Sequence, residues 1–127
     1  MTVPADARRA LGAAGERAVA EWYAGAGYEI VDRNWRCREG ELDLVAARGD
    51  EIVFCEVKTR RGDAFGTPFE AVTVTKQRRL RTLAMRWLSE HRVRAGELRF
   101  DVAAVRVRST RGAGSEVDEI EVLEAAF

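Results

Sequence analysis

The chain is poor in the residues that build disulfide scaffolds and imidazole metal sites. Two cysteines, Cys37 and Cys55, and one histidine, His91, are scattered through 127 residues. Two isolated cysteines form neither a disulfide framework nor a zinc knuckle. They read as free thiols of a reducing compartment, with Cys55 inside a core strand. His91, near a helix end, has no second imidazole for a metal pair or an acid–base couple, and reads as a surface residue. No apolar run approaches the roughly 18 residues that span a bilayer. The first residues, Met1–Asp6, carry neither the basic nor the apolar segment of a secretory signal. The expected location is the cytoplasm, with no membrane partner. Net charge is lacking as well: 21 basic and 21 acidic residues cancel. Global charge therefore does not announce a nucleic-acid partner, although its distribution is uneven. Arginines populate the first half and the stretch Lys76–Arg86, while acids collect at Glu116, Asp118, Glu119, Glu121 and Glu124. Such separation can create a basic face on a neutral protein; ordinary solvated surfaces account for the counts equally well.

What is present suits one domain. Hydrophobic residues make up 46% of the chain, enough for a single core. The reading is one domain over 1–127, with its core from about 7 to 107 and an edge strand at about 116–124. A first helix runs from an Asp6 cap to about Ala26. Leu11, Gly15, Ala18 and Trp22 form one stripe, with Ala14, Val19 and Tyr23 beside it and Gly25 and Gly27 as the stop. Glu16 borders that stripe. Tyr28 to about Trp35 reads as a strand with Tyr28, Ile30 and Asp32 on one face. Arg36–Gly40 turns into a second strand, Glu41–Ala46, with Leu42, Leu44 and Ala46 opposite Glu41, Asp43 and Val45. A tight turn at Arg48-Gly49-Asp50 leads into a third strand and makes an antiparallel pair.

That third strand, Ile52–Lys58, organises the rest. It is a short apolar run rich in β-branched residues, yet it ends on Glu56 and Lys58. Strand alternation puts these two charges on one face and Val53, Cys55 and Val57 on the other. Charges at the end of a core strand cost several kcal/mol each unless compensated. A mutual salt bridge, a metal ion or a solvent-filled cleft would each do so. The hairpin lays the Asp43 strand beside the Glu56 strand, so the two carboxylates can meet.

Beyond it, Gly62–Pro68 reads as a loop with Phe65 and Phe69 as anchors, either a plain connection or a flap beside the site. Thr73 or Thr75 caps a second helix, about Lys76–His91, whose buried side is Leu80, Leu83, Ala84, Trp87 and Leu88. Its first turn carries Lys76 and Gln77 toward the end of the Glu56 strand. Glu97–Val107 is a further strand, and the 116–124 segment alternates less regularly, as an edge.

Asp43, Glu56 and Lys58 are the residue types of a divalent-metal phosphodiesterase. Mg²⁺ prefers carboxylate oxygens and retains water; such an ion polarises a phosphoryl oxygen and acidifies a bound water. A lysine on the same face can position or deprotonate that water. Glu16 can add an outer ligand, and Arg36, Arg60, Lys76, Gln77 and Arg79 can hold a nucleic-acid backbone through its phosphates. By spacing alone, an aspartate followed by Glu-x-Lys also suits a strand-end salt bridge.

Several segments in order carry a resemblance. They are Gly15-Glu16, Arg33–Arg36, Gly40-Glu41-Leu42-Asp43-Leu44, Val53–Arg60, Phe65-Gly66-Thr67-Pro68 with Glu70-Ala71-Val72, and Lys76. Together, from about Leu11 to Asp101, the chain resembles the YraN-like family of bacterial proteins. By fold that family belongs to the PD-(D/E)xK, restriction-endonuclease-like superfamily, which includes archaeal Holliday junction resolvases. The resemblance implies an α/β domain with a mixed central sheet flanked by helices. It also implies metal binding by Asp43 and Glu56, with Glu16 as the helix-borne acid, and Lys58 as catalytic lysine. Lys76 or Gln77 would be the polar residue of the following helix. Leu42 stands where the superfamily's name has proline, and Cys55 where an aliphatic residue is usual. The expected activity is Mg²⁺- or Mn²⁺-dependent cleavage of DNA, in branched or structured form, by a homodimer. The alternative is a non-catalytic nucleic-acid-binding or scaffold protein in which Glu56 and Lys58 merely pair.

Overall fold

A computed structural model describes residues 5–62, 72–109 and 115–127. The expected loop beyond Gly62, with Phe65, Phe69 and the Phe65–Pro68 motif, lies outside the described residues, as does the side chain of Asp6. The described elements run α1 (Ala5–Gly25), β1 (Glu29–Cys37), β2 (Gly40–Arg48), β3 (Glu51–Arg61), α2 (Val74–His91), β4 (Glu97–Ser109) and β5 (Ser115–Leu123). Neither helix is long and apolar enough to cross a membrane.

Local chemistry sets the turns. Gly49, with φ of +61°, opens the two-residue connection between Arg48 and Glu51, which pair across β2 and β3. A positive φ at the first turn position suits a type II′ hairpin. Short turns give β1, β2 and β3 as an antiparallel meander. The connection through α2 then brings β4 in parallel to β3, and β5 closes the far edge antiparallel to β4. The order β1-β2-β3-β4-β5 is thus a mixed sheet, and α1 and α2 cover its opposite faces. The α/β architecture, a mixed sheet flanked by helices, is as expected.

On one face Val19, Ala20 and Tyr23 of α1 pack against Leu44, Val53, Cys55 and Val105. On the other, Leu80, Leu83 and Trp87 of α2 pack against Val45, Phe54 and Phe100. Thr73 caps α2, its hydroxyl accepting from the Lys76 N–H at 3.2 Å.

Three details of the expected patterning are corrected. In α1 the inward line is Gly15, Val19 and Tyr23; Tyr23 is fully buried, whereas Trp22 is 37% exposed. The reason is a close approach. A Cβ at Gly15 would lie 1.9 Å from Thr59 Oγ1, so only a glycine lets α1 seat on β3 with this face inward. In β1 a register shift between Ile30 and Asp32 breaks the alternation. Ile30 stays with the α1 core, while Asp32 accepts from Trp87 Nε1 on the α2 side at 2.8 Å. In β2, Leu44 and Ala46 join the α1 core but Leu42 joins Val45 in the α2 core. The switch falls at Asp43, across from Asn34, whose φ is +50°. A left-handed residue in the neighbouring strand turns the pleat over at this point.

Gly15→Ala is expected to destabilise the protein by about 1–3 kcal/mol, the usual range for overpacking a tight contact. Thr59→Ala in the same chain should restore part of the loss. Urea unfolding of the single and double variants measures both effects, and equal midpoints for wild type and Gly15→Ala would contradict the close approach.

Candidate metal centre

The β2–β3 ladder stops where the charges begin. Its last described pair is Leu44 with Cys55, so the same register continued by one residue sets Asp43 opposite Glu56. Instead of another backbone pair, the Val57 N–H donates to Asp43 Oδ2 at 2.9 Å. The Asp43 carboxylate thus replaces a rung of the sheet. Gly15 presses α1 onto β3, which places the next residue, Glu16, beside this opening. One carboxylate oxygen from each of Glu16, Glu41 and Asp43 lies within 4.8 Å of the others.

The crowding favours the protonated form of two of these carboxylates, Asp43 and Glu16. Burial, then the charge of Glu56, then those of Glu16 and Glu41 raise the pKa of Asp43 to about 7, against the opposing hydrogen bond from Val57. Burial also raises that of Glu16, with Asn34 opposing through a hydrogen bond and Glu41 adding to the rise. Part of the charge is met by Arg36, whose Nε lies 3.4 Å from Glu41. The donor set fits a hard divalent cation: oxygen ligands, partly buried, with a surplus of negative charge.

Glu56 is differently placed. Its carboxylate, with the side chain only 10% exposed, is gripped by Lys58 Nζ at 3.2 Å and Lys76 Nζ at 2.9 Å. The two ammonium groups are neighbours. Burial first, then the contact with Lys76, lowers the pKa of Lys58, with Glu56 opposing. Burial also disfavours the charge on Lys76, but its contacts with Lys58 and Glu56 outweigh that and raise its pKa.

The structure therefore brings Asp43, Glu16, Glu56, Lys58 and Lys76 to the place where β2 and β3 part, midway along β3. It adds Glu41, which sequence reasoning did not propose as a ligand. The signal for Glu41 was available, since it stands two positions before Asp43 in one strand. The other expected backbone-binding residues are distributed. Gln77 donates from Nε2 to the Val72 carbonyl at 3.2 Å and so braces the entry to α2. Arg79 is exposed, its stem near Gly40 in the β1–β2 turn. Arg60 lies two residues beyond Lys58 and pairs in register with Arg106; its Nε is buried without a partner among the described residues. The acids of β5 do not form a region apart: Glu116 pairs with Arg108 at 3.0 Å and Glu119 with Arg106 at 3.6 Å. His91 is exposed as expected, stacked on Trp87.

A mixed sheet between helices, with acids gathered where two central strands part, is the restriction-endonuclease-like architecture, the class to which this fold belongs. Comparison with known proteins narrows it. The description "Uncharacterised protein family UPF0102" matches residues 15–105. A UPF0102 protein of Beutenbergia cavernae is 53% identical over 116 residues, covering 85% of this chain and 98% of the relative. One from Rhodococcus opacus is 57% identical, covering 77% and 83% respectively. One from Acidothermus cellulolyticus is 47% identical across the whole of both chains. The chain belongs to the UPF0102 family, a family related to the PD-(D/E)xK nucleases.

Proposed function

We propose that the protein is a Mg²⁺- or Mn²⁺-dependent nuclease that hydrolyses DNA phosphodiester bonds, in branched or otherwise structured DNA. The observation that carries this reading is the convergence of Glu16, Glu41 and Asp43 beside the Glu56–Lys58 pair. In this reading Asp43 and Glu41 hold the cation, with Glu16 supporting from α1 and Glu56 completing the set. When bound, the cation would polarise a phosphoryl oxygen and acidify a water. Lys58, its pKa lowered by burial, is suited to orient or accept a proton from that water. Arg36, Arg79 and Arg60 supply positive charge for backbone phosphates around the site, a contact that weakens as salt rises. With so small a chain, shape recognition takes the place of a separate sequence-reading unit. A symmetric cut of two strands calls for two sites, hence a dimer.

The test is incubation with plasmid, single-stranded, flap and four-way-junction DNA in Mg²⁺ or Mn²⁺. Wild type is expected to cut at least one of them, and Lys58→Ala to cut none. Equal cutting by the variant would remove the support for this site.

One observation favours a second reading, a nucleic-acid-binding protein without catalysis. Glu56 already has two ammonium partners, as a purely structural carboxylate would. In that case Mn²⁺ leaves the melting temperature unchanged, and Glu56→Gln destabilises the fold to the same extent with or without metal.

A further inference from the structure

The acids of this site are not equally served by cations. Glu16, Glu41 and Asp43 crowd together with Arg36 at their margin, and Asp43 belongs to none of the ion pairs among the described residues. Glu56, opposite Asp43 in the continued register, has two. Of these, Lys58 sits on the same strand as Glu56, two residues along the same face, and its place is fixed by β3. Lys76 comes from a different element. It lies in the first turn of α2, anchored by the Thr73 cap and by Gln77 on the Val72 carbonyl. Its stem must reach across to Glu56, and the resulting 2.9 Å contact is the shorter of the two.

From this asymmetry we infer that Lys76 is a resident counter-ion of Glu56 that competes with the divalent cation. Glu56 binds the metal more weakly while the Lys76 ammonium stays on its carboxylate. The inference rests on the metal-site reading above and adds a regulator to it. Both ammonium groups sit on the same oxygen, Oε1, and an ammonium and a divalent cation on one carboxylate repel each other, so the Lys76 contact and cation binding at Glu56 oppose each other. The released ammonium remains at the edge of the site on a flexible four-carbon stem, where an approaching phosphate diester is its natural new partner. Metal and nucleic-acid backbone would then bind with mutual support, since whatever draws Lys76 away frees Glu56.

Titration calorimetry with MnCl₂ tests this without reference to catalysis. Lys76→Met keeps the apolar stem and removes the ammonium. It is expected to bind Mn²⁺ about tenfold more tightly than wild type, the scale of one charge-assisted interaction at a carboxylate. Arg78→Gln removes a charge from the same stretch of α2, on an exposed residue, and controls for long-range attraction. Little change in that control supports the inference. An equal gain in both variants assigns the effect to general electrostatics and overturns it. Unchanged affinity in Lys76→Met overturns it too, while leaving the metal site standing. Absence of Mn²⁺ binding to wild type and both variants would overturn the metal reading itself together with the competition. Circular dichroism of the variants verifies that each is folded.

Discussion

Asp43→Asn is expected to silence the protein and, without metal, to make it more stable. The folded chain holds the Asp43 proton up to about pH 7, whereas an unfolded aspartate releases it near 3.9. Between those values the folded state binds more protons than the unfolded one. Stability associated with this group is therefore complete below about pH 4 and is lost as pH rises through about 7. Asparagine carries no charge, and its side-chain oxygen can still accept from the Val57 N–H. The variant and wild type should have matching urea midpoints near pH 4, and the variant should be the more stable at pH 8. Mn²⁺ should reverse the ranking by raising the wild-type melting temperature and leaving the variant's unchanged, because only a ligand that binds the folded state shifts it. Cleavage should fall by at least roughly a hundredfold, as when a preorganised charge is removed from a transition state. Identical midpoints at pH 8 would mean that Asp43 carries no electrostatic strain, and an unchanged Mn²⁺ shift would place the metal elsewhere.

The second large effect lies in the core. Asp101 is fully buried and each of its oxygens accepts two hydrogen bonds. Oδ1 takes Arg99 Nε at 2.9 Å and the Ala125 N–H at 3.0 Å; Oδ2 takes Arg99 Nη2 at 2.9 Å and the Tyr23 hydroxyl at 2.5 Å. Burial, then the nearby Cys55 and Asp101, raises the pKa of Tyr23 far above the usual phenol range, so its hydroxyl remains a donor throughout the working pH range. Asp101→Ala would strand the Tyr23 hydroxyl and the Ala125 N–H and weaken the hold on Arg99, which keeps Glu51 at 3.5 Å and Glu124 at 3.6 Å. Removing one member of a buried charged pair costs about 3–5 kcal/mol. Urea unfolding should show that loss at pH 7 with or without Mn²⁺. A loss below about 1 kcal/mol, the scale of an exposed pair, would mean that the network is dispensable.

The two sets of residues differ in how far they could be read from the chain. The α2 buried face, the β2–β3 hairpin and the meeting of Asp43 with Glu56 all follow from periodicity and one short turn. The reach of Lys76 toward Glu56 follows from its place in the first turn of α2. Periodicity failed where the backbone leaves its repeat. Nothing in the order of residues announces the bulge after Ile30 or the left-handed Asn34, and these moved Asp32 and Leu42 to the α2 side. The rotation of α1 that buries Tyr23 instead of Trp22 depends on one contact, Gly15 with Thr59, between distant parts of the chain. Asp101 was visible as an aspartate inside an apolar strand, but its partners come from α1, from β4 and from the segment after β5. Glu41 was overlooked although it shares a short strand with Asp43.

The meander has a bearing on how the site comes into being. β1, β2 and β3 are joined by tight turns, so Glu41, Asp43 and Glu56 are brought together by local pairing, the fast part of assembling a sheet. Glu16 arrives only when α1 docks, and β4 only after the crossover through α2. During the first stage the carboxylates of the hairpin face water, which screens their repulsion. Closure of α1 then brings a further carboxylate and removes solvent from Asp43. The helix that completes the acidic cluster is thus also the one whose docking an alkaline solution should slow.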